Sequence, residues 1–167
     1  EGKALFQGVE LAGQADRLTN AVDGNVFARV ALTWLPTAEQ KSSFNSPTSA
    51  TPVVNQSGKR LPYAPEQLLT LTLGYRAPQF WNVRLEYVYV GEQYASFDNQ
   101  TTPSADGQKG LIDSYGIWNA VANYTIGKAT FFIAGKNLSD KTYIVDRTRG
   151  IQVGMPRTIQ AGLKYAF

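Results

Sequence analysis

The sequence predicts an all-β fold, an antiparallel transmembrane β-barrel segment, on three observations. Apolar and polar side chains alternate with a period of two in segment after segment, the signature of strands with one covered face rather than of helices. The connections between these segments alternate between short and long, as the turns and loops at the two ends of a membrane barrel do. Aromatic residues gather at both ends of the strands, and the chain closes on Phe167 inside a strand, where a water-soluble domain ordinarily ends in loose polar residues.

Seven strands follow in order. The first runs near Leu5 to Gln14, with Val9 and Leu11 on one face, Glu10 and Gln14 on the other, and Gln7 breaking the pattern. The second sets Val26, Ala28, Val30, Leu32 and Trp34 against Asn25, Arg29 and Thr33, although Phe27 and Ala31 make its other face partly apolar. In the third, Leu69, Leu71, Leu73 and Tyr75 oppose Thr70, Thr72, Gly74 and Arg76; in the fourth, Val83, Leu85, Tyr87 and Tyr89 oppose Arg84 and Glu86. The fifth sets Trp118, Ala120, Ala122, Tyr124 and Ile126 opposite Asn119, Asn123 and Thr125. "ATFFIAGKNL" is the sixth, open by one register because Phe131 and Phe132 are adjacent, and "GMPRTIQAGLKYAF" is the seventh, with Ile159, Ala161, Leu163 and Tyr165 on one face.

The short connections are "DRLTNAVDG", "APQFWN" and "IGK", and the long ones are residues 36–64, 97–112 and 139–156. All short turns fall at one end, so the C-terminus lies at the periplasmic end of such a barrel. Tyr75, Tyr124, Tyr165 and Phe167 lie at that end, and Trp34, Tyr87 and Tyr89 toward the long loops. Two girdles at the levels where hydrocarbon meets headgroup are implied. An unpaired backbone group in lipid costs several kcal/mol, so a spanning sheet must close. Seven strands leave two edges. The set is therefore expected to continue a longer run upstream of Glu1, the alternative being closure by other copies of the chain.

Composition narrows the function. Sixteen basic and 13 acidic residues in 167 give a net charge of +3, too mild to argue for nucleic acid. No apolar run approaches the roughly 18 to 20 residues of a membrane-spanning helix. Cysteine and histidine are absent, which removes thiolate zinc sites, cysteine nucleophiles and every triad with an imidazole base. The remaining Ser, Lys and carboxylates show no local catalytic arrangement, so no enzyme is expected.

Four stretches carry a resemblance: "FQGVELAG", "GKRLPYAPEQLLTLTLGY", "GKNLSDKTY" and "GMPRTIQAGLKYAF". In order and spacing they resemble the C-terminal part of a TonB-dependent outer-membrane receptor, with an N-L-x-D-K-x-Y turn before the final hairpin and a closing G-x-P-R strand. The resemblance implies that residues 1–167 are the last seven strands of a 22-stranded barrel, with plug and earlier strands absent. It implies TonB-energised uptake of a ferric siderophore, a ferric citrate-type chelate first, as cargo rather than bound cofactor. Implied partners are outer-membrane lipid and lipopolysaccharide, the plug and upstream strands, the TonB complex, and the barrel assembly machinery, which would read Phe167. A passive pore, or a receptor for cobalamin or an oligosaccharide, is the alternative. A soluble carbohydrate-binding sandwich is a third reading.

Many ferric siderophores are anionic, so the expected cargo contacts on the long loops are Lys59, Arg60, Lys109, Tyr143, Arg147 and Arg149. A guanidinium offers a planar fork of donors suited to carboxylates. If "DRTRG" is extended, Arg147 and Arg149 present two forks side by side. The competing reading of these charges is solvation, pairing with neighbours such as Asp146, or contact with lipopolysaccharide phosphates. Arg29, Arg84, Glu86 and Lys164 face the interior, where plug or cross-strand contacts are expected.

Overall fold

A computed structural model describes residues 2–19, 24–42, 55–77 and 80–167. The strands in chain order are β1 (Ala4–Thr19), β2 (Gly24–Gln40), β3 (Gln67–Arg76), β4 (Trp81–Val90), β5 (Gln93–Tyr94), β6 (Leu111–Ile112), β7 (Tyr115–Ile126), β8 (Ala129–Lys136), β9 (Ile144–Asp146), β10 (Gln152–Val153) and β11 (Thr158–Tyr165). Seven of them form one antiparallel sheet in the order β1-β2-β3-β4-β7-β8-β11, each bonded to its sequence neighbours in the sheet. The two remaining pairs, β5-β6 and β9-β10, are small hairpins inside long connections.

Register carries the alternation across the sheet. One face is built of rows: Leu11, Leu32, Leu69 and Tyr89; then Val30, Leu71, Tyr87 and Trp118; then Ala28, Leu73, Leu85 and Ala120. Toward the short turns follow Val26, Tyr75, Val83, Ala122 and Ile133, then Trp81, Tyr124, Phe131 and Leu163. Among the described residues these side chains meet no second sheet: Leu73 stays 60% exposed, Leu163 59% and Trp118 43%. A dry sandwich core is thereby excluded, and the apolar face is of the kind that a hydrocarbon solvent covers. The sixth strand's register resolves as well, since Phe131 pairs with Leu163 on the apolar face and Phe132 with Gly162 on the other.

Rings pair at both borders of this face. Tyr87 and Trp118 lie 4.8 Å apart toward the long loops; Trp81 and Tyr124, at 4.5 Å, and Tyr165 and Phe167, at 5.4 Å, lie at the short-turn end. The opposite face runs Gln14, Arg29, Thr72, Glu86 and Asn119, with Asn119 donating to Glu86 at 3.0 Å. Phe27, like Phe132, is an aromatic exception on that face. It is buried, with the Arg29 and Arg76 guanidiniums 5.0 and 5.4 Å from its ring centroid. The ring lies over Gly74, and a Cβ there would strike it. Gly74→Val is therefore expected to destabilise the barrel by about 1–3 kcal/mol through overpacking. Thermal unfolding of the full-length protein checks this, and adding Phe27→Ala should recover part of the loss.

β1 and β2 run past the expected strand ends. Two β2 residues, Leu35 and Pro36, oppose the single Gly8 between the Gln7–Thr37 and Val9–Trp34 pairs. Proline has no N–H to give the ladder and is tolerated at such a bulge. The extra residue reverses the strand's faces, so Ala38 and Gln40, beyond it, turn to the polar side and are buried there.

Candidate functional site

The long connections come together at one end of the sheet. The bulge frees two carbonyls, and Arg60 fills both: it donates to Leu35 O at 2.7 Å, Pro36 O at 3.2 Å and, from Nε, Ala64 O at 2.8 Å. Its backbone exchanges bonds with the Asn99 side chain, Arg60 N to Asn99 Oδ1 and Asn99 Nδ2 to Arg60 O, both 2.8 Å. Asn99 has φ +51, which Asn tolerates better than most residues. Beside it, Lys59 Nζ donates to Asp98 O at 2.8 Å, and Lys109 pairs with the Asp98 carboxylate at 2.8 Å. Burial works against the Asp98 charge, but the bonds from Lys109 and Ser96 outweigh it and hold the carboxyl below its ordinary value. Lys59 and Arg60 thus knit residues 55–66 to residues 93–112, and Lys109 braces the latter segment from within.

A second tie brings in residues 139–156. Tyr63 bonds through its N–H to Tyr94 O at 2.9 Å, and its hydroxyl accepts from Arg147 N at 3.1 Å and lies 3.3 Å from the Thr148 hydroxyl. Tyr63 has φ +54, a conformation that costs an aromatic residue energy and persists only where its surroundings fix it. Arg147 is 4% exposed and donates from Nη1 to Gly107 O at 3.1 Å. "DRTRG" is a turn, not an extended stretch, so Arg147 is buried while Arg149 is exposed, and the two forks do not lie side by side. Asp146 pairs with neither. Its carboxylate accepts from the Thr148 hydroxyl at 2.6 Å and Thr148 N at 2.9 Å, and these bonds, helped by Tyr63, lower its pKa to about 2.

Because the folded value lies below the ordinary 3.8, the stabilisation from these bonds is complete above the ordinary value. It is lost progressively as pH falls from that value through about 2. Carbon-13 NMR of the Asp146 carboxyl is expected to titrate near that value in the intact protein and nearer the ordinary one in Thr148→Ala.

Tyr143 lies apart. It stacks on Tyr115 at 4.1 Å, and Gly154 N donates to its carbonyl at 2.8 Å. The two motifs near the C-terminus are one clasp. Asn137, 2% exposed, donates to Lys141 O and Met155 O at 2.9 and 3.0 Å and accepts from Lys141 N at 2.9 Å. Asp140 accepts from Arg157 N at 2.9 Å, with the Arg157 guanidinium 3.7 Å away.

Between the interlocked connections lies a cleft of about 790 Å3, whose walls include Phe6, Tyr63, Phe97, Gln108, Lys109 and Thr148. Of the six expected contacts only Lys109 lines it. Phe6, Tyr63 and Phe97 are not among the basic and aromatic contacts expected from the sequence, although Tyr63 carries a signal in "LPYAP": a ring set between two prolines stands on a stiff arm. Arg149, exposed in the turn after Thr148, makes no ion pair among the described residues.

Comparison with known proteins gives this geometry a family. Residues 1–138 match the family model described as TonB dependent receptor-like, beta-barrel. Among solved structures, the ferric citrate transporter FecA in its unliganded form is 26% identical, with a TM-score of 0.80 over 97% of this chain and 24% of that one. The ferric yersiniabactin uptake receptor FyuA from Yersinia pestis is 18% identical, with a TM-score of 0.72 over 99% of this chain and 24% of that one. The siderophore receptor PiuA from Acinetobacter baumannii is also 18% identical, at 0.66 over 94% and 22%. The chain spans about a quarter of the length of these structures. Its alternating seven-stranded sheet and the matched family model lead to one assignment: the chain belongs to the TonB-dependent receptor β-barrel family.

Proposed function

We propose that the chain is the C-terminal part of the barrel of a receptor that imports a ferric siderophore, with a ferric citrate-type chelate as the first candidate cargo. The observation that carries this reading is the likeness to the ferric citrate transporter over 97% of the chain, at 26% identity and a TM-score of 0.80. In this reading the long-loop end faces the outside, the short turns and Phe167 face the periplasm, and the barrel assembly machinery reads Phe167. A plug and the earlier strands come from upstream, and TonB supplies energy through that same region. Lipopolysaccharide surrounds the outer border of the apolar face.

Cargo enters the cleft, with Tyr63, Phe97, Lys109 and Arg149 within reach of it. Lys59 and Arg60 act on the cargo indirectly, because their donors hold loop carbonyls. Tyr143 supports the clasp below. Iron-limited growth tests the reading. A strain lacking the full-length gene is expected to grow poorly on ferric citrate as its iron source and to recover when the gene is returned. Unimpaired uptake of every ferric chelate tried would overturn the iron assignment.

A further inference from the structure

Between the bulge and the short turns, the apolar face of the sheet carries one charge among the described residues. Arg17 follows Leu11, Gly13 and Ala15 along that face of β1 and pairs with Val26, in the row that continues through Tyr75 and Val83. It is exposed and forms no ion pair among the described residues. Its neighbour Asp16 is turned to the polar face, where it accepts from Gln14 and, at 3.2 Å, from Asn25. An arginine facing lipid is costly at the bilayer midplane and nearly free of cost at an interface. Arg17 therefore suits the level of the short-turn girdle, where lipid phosphates stand.

A hydroxyl lies beside it. The Tyr75 ring leans over Gly24 of β2, where a Cβ would strike the Tyr75 hydroxyl, and Gly24 opposes Thr19 of β1. That hydroxyl thus sits over the strand next to Arg17, at the short-turn end.

From Arg17 toward the long loops the same face is hollow. Gly13, Ala15 and Ala28 lie along a groove of about 460 Å3, with the larger Leu71, Leu73 and Trp118 beside them. Ala15 opposes Ala28 and Gly13 opposes Val30, so the groove continues the line of Arg17. At about 3.3 Å per residue, Gly13 lies about 13 Å along the strand from Arg17. In hydrocarbon there is no gain from leaving water, and what holds an apolar partner is packing. A chain lying in a groove touches atoms beneath and beside it, contacts that a flat wall does not offer.

We propose that Arg17 and this groove form a binding site for an anionic glycerophospholipid of the periplasmic leaflet. The phosphodiester takes the Arg17 guanidinium, whose planar fork suits phosphate oxygens, and the Tyr75 hydroxyl is a further donor. One acyl chain runs along Ala15, Ala28 and Gly13 toward Trp118. A phosphatidylglycerol head group is favoured over an ethanolamine one, because this end of the face offers no carboxylate among the described residues to receive an ammonium. The inference rests on the reading that the short turns face the periplasm.

Native mass spectrometry of the purified full-length receptor in detergent tests it, with phosphatidylglycerol, phosphatidylethanolamine or lipopolysaccharide added. The intact receptor is expected to retain phosphatidylglycerol in preference to the other two. Arg17→Gln is expected to weaken the tightest phosphatidylglycerol site about tenfold, as loss of hydrogen bonds to a charged group does, and to abolish the preference. Ala28→Phe, which fills the groove with an apolar ring, is expected to lower retention of both phospholipids and keep the preference. Equal retention of the two phospholipids by the intact receptor overturns the site, as does retention unchanged in Arg17→Gln or in Ala28→Phe. Arg17-dependent retention of lipopolysaccharide in place of phosphatidylglycerol overturns it too, and so does a receptor dimer that Ala28→Phe breaks. Orientation is read separately, from Lys128→Cys in the exposed short turn before β8. In intact cells this cysteine is expected to resist a polyethylene-glycol maleimide too large to cross the outer membrane. Labelling there removes the periplasmic reading and the leaflet assignment with it, whereas lost lipid preference without labelling removes the site alone.

Discussion

Leu73→Arg is expected to lower the unfolding free energy of the full-length barrel by about 2–4 kcal/mol in lipid vesicles. Leu73 sits in the middle row of the apolar face, between Ala28 and Leu85, with aromatic pairs bordering the face toward each end. A guanidinium there meets hydrocarbon on every side and lies farthest from either interface. Thr72→Arg, one residue earlier on the same strand, points to the polar face beside Arg29 and Glu86 and is expected to change stability by about 0.5 kcal/mol or less. Urea unfolding of both variants reads the contrast. Equal losses would mean that the two faces are not in different solvents, and the membrane assignment of the sheet would fall with them.

Asn137→Ala is expected to cost about 2–4 kcal/mol. The substitution strands Lys141 O, Met155 O and Lys141 N, part-buried backbone groups; leaving such a group unsatisfied costs about 1–3 kcal/mol, with water recovering part of the loss. It also puts alanine at φ +48, a left-handed conformation that costs an L-residue about 1–2 kcal/mol. Asn137→Gly separates the two effects, since glycine removes the side chain without the backbone penalty. It should be less damaging than alanine by about 1 kcal/mol. If alanine and glycine behave alike and both stay within about 0.5 kcal/mol of the parent, the clasp does not hold the last hairpin together.

The sheet was legible in the sequence because each spanning strand is long enough for a period of two to repeat. Leu69 to Arg76 alternates without a fault, and β3 pairs as that pattern requires. Residues 93–94, 111–112, 144–146 and 152–153 are strands too, but two or three residues cannot show a period. The length of β2 was hidden for another reason. Pro36 reads as a strand end, whereas here it marks a bulge beyond which the strand continues to Gln40. The cations of the site were found by type, and type does not reveal partners. Asn99 lies 39 residues from Arg60, and Gly107 lies 40 from Arg147; only the fold brings them together. What the cleft adds, Phe6 from the first strand against Phe97 and Thr148, is likewise a product of topology.

The reversal of faces at Leu35–Pro36 divides the protein into two parts that can drift separately. Below it, substitutions answer to membrane thickness; above it, Ala38 and Gln40 answer to the platform of connections that seats the cleft. A chimera that exchanges everything above this joint for the corresponding region of another receptor keeps an intact wall. Recognition could thus be re-specified by transplantation while the spanning scaffold is inherited unchanged.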